Sequence, residues 1–156
     1  MANYKKVDTA NLDKIIKKTV EAINNSKTEL FDIAESARKE CQRLEKELVE
    51  LKQRTAEIIQ SVGLLEIALN ESKKQLMLVS KNYDKYSEDE IREAYENADN
   101  IRVELAIKRE REQYYIKRRN ELELRLKNAY KTVEKADNLI SQIGVSLSYL
   151  TGDLEN

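Results

Sequence analysis

Few side chains of this sequence stand in a pattern that could do chemistry. Cys41 is the one thiol, flanked by Ala37 and Leu44 on an apolar ladder. That setting suits a small buried hydrophobe; the alternative, a redox or crosslinking thiol, would require a cationic environment that favours the thiolate. Adjacent carboxylates such as Glu88 and Asp89 could serve as an acid–base pair, but glutamates are spread over every solvated face and single out no site. Histidine is missing altogether. This removes His-based metal sites, Ser–His and Cys–His nucleophile pairs and a phospho-accepting histidine. Gly63, Gly144 and Gly152 are too far apart to form a phosphate-cradling loop. The expectation is therefore no catalytic, cofactor-binding or metal-binding residue in this chain.

A second kind of candidate is conformational. Lys108, Glu112 and Arg119 interrupt an otherwise apolar ladder, and a ruler drawn through the central turn places them opposite roughly residues 52–63, a stretch holding Thr55 and Gly63. Isolated polar residues on a helical seam specify partners at a cost in stability. Gly63 adds about 1 kcal/mol of helix destabilisation relative to Ala. Thr55, Gly63, Lys108, Glu112 and Arg119 are thus expected either to form a polar switch layer or to mark a loosely packed, hydrated stretch.

The elements that must position these residues are helices. Charged residues make up 37% of the chain, with no Pro and three Gly, so the turns a sheet needs cannot be supplied. Two interleaved seven-residue series, Ile23 to Val79 and Val20 to Leu76, hold apolar residues at 15 of 18 positions. A second pair, Ile91 to Leu147 and Ala94 to Leu150, does the same, and its three exceptions are Lys108, Glu112 and Arg119. Repeats this long make left-handed coiled-coil seams. Between the ladders, Ser87 and Glu90 form a capping-box pattern that starts a new helix, and Asp89 adds negative charge at its positive end. So short a connection makes the two helices antiparallel neighbours, each roughly 90 Å long at ~1.5 Å per residue. The fold class expected is all-α, a long antiparallel helical hairpin that forms a four-helix coiled-coil bundle as a dimer. The single domain, 1–156, would comprise a short helix over about 8–23, a long arm over about 27–82, a turn at 83–86 and a second arm over about 87–150. The first boundary rests on a second capping pattern, Ser26 with Glu29 after Asn24-Asn25; a continuous helix is the other reading, because the heptad phase passes through unbroken.

Near the turn the apolar stripe outgrows a two-helix seam. Leu64, Ile67, Ile101, Val103 and Ile107 form an expected dimer-contact stripe, since a surplus this long marks an association site. Tyr83, Tyr86 and Tyr95 are expected to cap the hydrophobic end of the hairpin. Charge is balanced, 28 basic against 29 acidic residues, with the signs interleaved; this points away from nucleic acid and from anionic membranes. No apolar run approaches the ~18 residues of a membrane span, and no secretory pattern opens the chain.

The stretch Val79-Ser80-Lys81-Asn82-Tyr83-Asp84-Lys85-Tyr86-Ser87-Glu88-Asp89-Glu90-Ile91-Arg92-Glu93-Ala94-Tyr95-Glu96 resembles the central signature of the DegS sensor domain. The resemblance extends upstream to Ser26-Lys27-Thr28-Glu29-Leu30-Phe31 and Glu47-Leu48-Val49-Glu50-Leu51-Lys52. Downstream it takes in Arg118-Arg119-Asn120-Glu121-Leu122-Glu123, Leu139-Ile140-Ser141-Gln142-Ile143 and Tyr149-Leu150-Thr151-Gly152-Asp153-Leu154. The segment at the turn is the specific part, because any heptad repeat is similar to another. What the resemblance implies is a cytoplasmic, dimeric two-component sensor histidine kinase without transmembrane segments. Its helical input domain would receive a signal from an unidentified intracellular protein or ligand. Its kinase module would use ATP to phosphorylate itself on His and then phosphorylate the response regulator DegU. That module is not in this sequence, so no catalytic residue carries over. The second arm would lead directly into the kinase's dimerisation helix and transmit input mechanically. The competing expectation is a passive coiled-coil spacer or scaffold.

Overall fold

The computed structural model describes residues 9–152. Helix α1 spans Thr9–Lys81, a 3-10 turn covers Tyr83–Lys85, and helix α2 spans Glu88–Thr151. The two long helices pack as a hairpin, as the heptad ladders predict. Placing a at Val20 and d at Ile23 on α1, and a at Ile91 and d at Ala94 on α2, puts every fully buried described residue on an a or d position.

α1 does not break at Asn24-Asn25-Ser26. The helix runs on from Thr9, and the Ser26–Glu29 capping pattern is not used as a helix start. The heptad phase explains why: Val20, Ile23, Lys27 and Leu30 stay half-buried on one face, so a break would remove the seam there. Thr28 fits by turning its hydroxyl back on the Asn24 carbonyl oxygen, 3.1 Å away. Asp8, where the short first helix was expected to begin, lies outside the described residues, as do Asp153 and Leu154.

The connection is built from local hydrogen bonds. The Asn82 side chain caps the end of α1 by donating to Leu78 O at 3.0 Å, and the Tyr86 N–H closes the 3-10 turn on Tyr83 O at 3.3 Å. Ser87 then acts as the N-cap that its position predicts, its Oγ accepting from the Glu90 N–H at 3.2 Å. Glu88, Asp89 and Glu90 occupy the first turn of α2, where the helix dipole favours negative charge.

Two compact units divide the chain. One is Glu45–Leu124, which contains the turn; the other joins Met1–Leu44 with Arg125–Asn156. In the turn-containing unit the core is Leu48, Thr55, Ile58, Val62, Ser72 and Val79 of α1 against Ala98, Leu105 and Leu122 of α2. Two ion pairs cross it, Glu66–Arg109 at 2.8 Å and Lys52–Glu123 at 4.0 Å. All four residues are e positions, spaced two heptads apart on each helix, as antiparallel pairing requires when like flanks meet. In the other unit Ala34, Cys41, Leu44 and Ala136 are buried. There Arg38 bonds Asp137 at 2.6 Å, again e to e, and Arg125 bonds Glu40 at 3.1 Å, g to g. Exposed pairs of this kind are worth about 0–1 kcal/mol each; they fix register more than they stabilise.

Candidate functional site

Seam burial is interrupted on α2. Between Leu105 and Leu122 that helix fully buries no side chain, and the ladder positions in the gap, Lys108, Glu112, Tyr115 and Arg119, are half-buried. Across the seam α1 keeps Thr55, Ile58 and Val62 buried. The ion pairs Lys52–Glu123 and Glu66–Arg109 bracket this stretch, so Thr55, Gly63, Glu112 and Arg119 share one span, with Lys108 at its edge. The structure therefore gathers the five residues of the expected polar layer into one zone of one unit.

Long side chains occupy the gap because their alkyl stems can cover α1 while their charged heads reach water. Partial desolvation is not offset by pairing: among the described residues Lys108, Glu112 and Arg119 form no ion pair. Thr55 is 2% exposed and satisfies its hydroxyl within its own helix, on Leu51 O at 2.7 Å. Gly63 has nothing within 4 Å of where a Cβ would stand, so close helix approach does not explain the glycine. The zone has a weak cross-helix bond network and one residue that lowers helix propensity.

Beside it lies a cleft of about 220 Å³, lined by Glu47, Glu50, Leu51 and Arg54 of α1 and Tyr114, Tyr115, Arg118 and Leu122 of α2. The rings of Tyr114 and Tyr115 are tilted, with centroids 5.9 Å apart. Arg54, Tyr114 and Tyr115 of this cleft, and Arg111 beside the two tyrosines, do not stand out in the sequence as a group. A signal existed, since residues 108–119 hold six basic residues against two acidic, but whole-chain neutrality masks it. Ion pairing separates these arginines from the rest. Arg38, Arg43, Arg92, Arg102, Arg109, Arg118 and Arg125 each hold a carboxylate, whereas Arg54, Arg111 and Arg119 hold none among the described residues.

Of the expected dimer-contact stripe, Leu64, Ile67, Val103 and Ile107 are 49–62% exposed. Ile101 differs: it is a d position and half-buried in the seam, so it faces the other helix. The apex tyrosines meet through their polar ends. Tyr83 and Tyr95 bring their hydroxyls to 3.4 Å at the surface, while Tyr86 is half-buried. The shared bond raises the Tyr83 pKa and lowers that of Tyr95. Cys41 is buried, 5% exposed. No described helix is long and apolar enough to cross a membrane.

A family model described as Sensor protein DegS matches residues 13–156. The signal transduction histidine-protein kinase/phosphatase DegS of Bacillus subtilis (strain 168) is 38% identical over 152 residues, covering 97% of this chain and 40% of that protein. The protein of the same description from Brevibacillus brevis is 40% identical over 147 residues, covering 94% of this chain and 38% of its own length. No solved structure matches the chain. The chain thus spans about two fifths of the curated relatives it matches. A match running through both helices and the capped turn, rather than along one heptad ladder, carries the conclusion that this chain belongs to the DegS sensor protein family.

Proposed function

We infer that this chain is the signal-input and dimerisation domain of a cytoplasmic two-component sensor histidine kinase. The kinase module would bind ATP, phosphorylate itself on His and pass the phosphoryl group to the response regulator DegU. The input domain pairs with a second copy through the exposed stripe of Leu64, Ile67, Val103 and Ile107, and it receives an intracellular protein or ligand. Input reaches the kinase mechanically, along α2.

One observation carries the mechanical part of this reading. α2 is a single unbroken helix from Glu88 to Thr151, yet Lys108, Glu112 and Arg119 hold unpaired, half-buried charge on its seam. A rod with one weakly committed stretch can adopt two packings of similar energy, and an input that favours one shifts the population. A passive spacer has no use for such a stretch.

The test is phase. The domain is fused to a kinase module with one, two, three or four residues inserted after Leu150, and autophosphorylation is measured. Helical transmission gives activity that rises and falls with the helical or heptad period; activity indifferent to insert length rejects it.

A further inference from the structure

The cleft beside the polar stretch fixes how the g flanks of the two helices meet. Glu47 and Arg118, both g positions, line it together. One heptad nearer the turn on each helix, the g positions are Arg54 and Arg111, so in an antiparallel pair these two meet. Both lie against Tyr114 and Tyr115, Arg54 in the cleft and Arg111 in the groove next to it. The flank that sets Glu47 near Arg118 thus sets a cation on a cation here.

Neither guanidinium is neutralised. Among the described residues Arg54 and Arg111 form no ion pair. The neighbours of Arg111 three and four residues away are Ile107, Lys108, Tyr114 and Tyr115, none of them acidic. Glu110 lines the groove of Arg111, but adjacent residues of a helix do not face each other. Arg54 has Glu50 and Glu57 within helical reach, and neither bonds it. Of the two carboxylates in the cleft, Glu47 is already partnered, which leaves Glu50 as the competitor for Arg54. The e flank shows how such repulsion is relieved from within. One heptad nearer the turn than Glu66–Arg109, Lys73 meets Arg102, and Arg102 holds Asp99 at 3.2 Å. No carboxylate does this for Arg111.

Two guanidinium forks that converge across an open cleft suit a doubly charged oxyanion, because each fork can give it two parallel hydrogen bonds. A phosphate group carries enough acceptor oxygens to bridge both forks. Tyr114, 63% exposed, lines both depressions and adds a hydroxyl donor and a ring face. We propose that Arg54 and Arg111 form an anion site that takes a phosphate group, free or as a monoester of a small molecule. Bound there, the phosphate offsets the repulsion and clamps α1 to α2 beside Thr55 and Glu112, which favours the tighter packing of that stretch. The site stands apart from the signal-input reading; only its use as an input rests on it.

The experiment titrates the isotopically labelled full chain with inorganic phosphate, and separately with phenyl phosphate, at neutral pH and an ionic strength held constant with sodium chloride. Amide shifts of residues 50–58 and 107–118 should move and saturate. Arg54→Gln and Arg111→Gln should each weaken binding by about tenfold, and Glu50→Gln should strengthen it. Tighter binding of phenyl phosphate supports an ester as the ligand; equal or weaker binding supports the free ion. Shifts that never saturate, or that persist when both arginines are replaced, overturn the site. A second arm needs no ligand. Arg111→Glu turns the like contact into an opposite one and should raise the thermal midpoint, and the rise should shrink on an Arg54→Gln background. No rise, or an equal rise on both backgrounds, overturns the facing of Arg54 and Arg111. None of these readouts involves a kinase module, so failure of the site is distinct from failure of mechanical transmission.

Discussion

Thr55, 2% exposed on the helical seam, turns its hydroxyl back to the carbonyl oxygen of Leu51 at 2.7 Å, one turn earlier in its own helix. The polar seam residue of α1 therefore places no demand on α2. Leu51 O is already available to the helical ladder, so the bond can be given up without leaving a buried group unmatched. Thr55→Val exchanges the hydroxyl for a methyl group on a buried seam, and the expected gain is about 0.5–1 kcal/mol, read as a higher urea midpoint at unchanged slope. A loss above that size would mean that Thr55 bonds across the seam in solution.

The charged residues opposite behave differently, because they are only half-buried and unpaired. Replacing Lys108, Glu112 and Arg119 together by leucine, isoleucine and leucine continues the apolar ladder from Leu105 to Leu122. Stability should rise by roughly 1 kcal/mol per site, and amide exchange in residues 105–122 should slow to match the flanking seam. In a kinase fusion the same variant should lose its response to input while remaining folded. Unchanged exchange would show that this stretch is already as tightly held as the rest.

Gly63 offers a separate handle on the same zone. No atom lies within 4 Å of a Cβ placed there, so alanine fits without displacement. Gly63→Ala should stabilise the hairpin by about 1 kcal/mol through helix propensity alone. Thermal unfolding of both proteins at one concentration reads this directly.

Glu40 supplies a pH dependence with a defined sign. Its carboxylate accepts from Arg43, the largest cause, and is also held by Arg125 across the helix pair; its pKa lies below the ordinary carboxylate value. A depressed acid contributes stability above its unfolded pKa and loses it as pH falls through the folded one. The advantage of the native chain over Glu40→Gln should therefore be full at neutral pH and shrink through the acidic carboxylate range. Carbon-detected NMR titration should place the Glu40 pKa higher in Arg43→Gln than in Arg125→Gln. Equal values in the two variants would contradict the ordering of the causes.

Much of this architecture was legible because coiled coils write their core in a fixed period. The seam from Val20 to Leu147 lies where the seven-residue series predict, and the start of α2 follows from Ser87 and Glu90. The failure at Asn24-Asn25-Ser26 has a physical reason: a capping pattern is worth about 1 kcal/mol, and an uninterrupted apolar face is worth more. Hydrophobicity alone places Ile101 on the outer stripe, whereas its d position gives it to the seam, where it is half-buried. Arg54, Arg111 and Tyr114 were legible only in part: the basic excess over residues 108–119 stands in the sequence, but not which arginines stay unpaired. Arg43, Arg92, Arg102 and Arg118 find carboxylates three residues away on their own helices, but Arg38, Arg109 and Arg125 find theirs across the pair, and that is set by pairing register rather than by either helix separately.

The capped connection at Asn82 to Ser87 also bears on how the hairpin assembles in time. Cross-helix contacts close progressively longer loops with distance from it, from a separation of 25 residues for Ser72–Asn97 to 43 for Glu66–Arg109 and 99 for Arg38–Asp137. Loop-closure entropy is smallest where the separation is smallest, and low contact order favours fast folding. Pairing should therefore nucleate beside the turn and zip toward Arg38 and Asp137, with each closed contact shortening the loop left for the next. On that route the stretch from Lys108 to Arg119, where α2 fully buries no side chain, returns the least seam burial for each heptad closed, and zipping must cross it before the outer contacts can form.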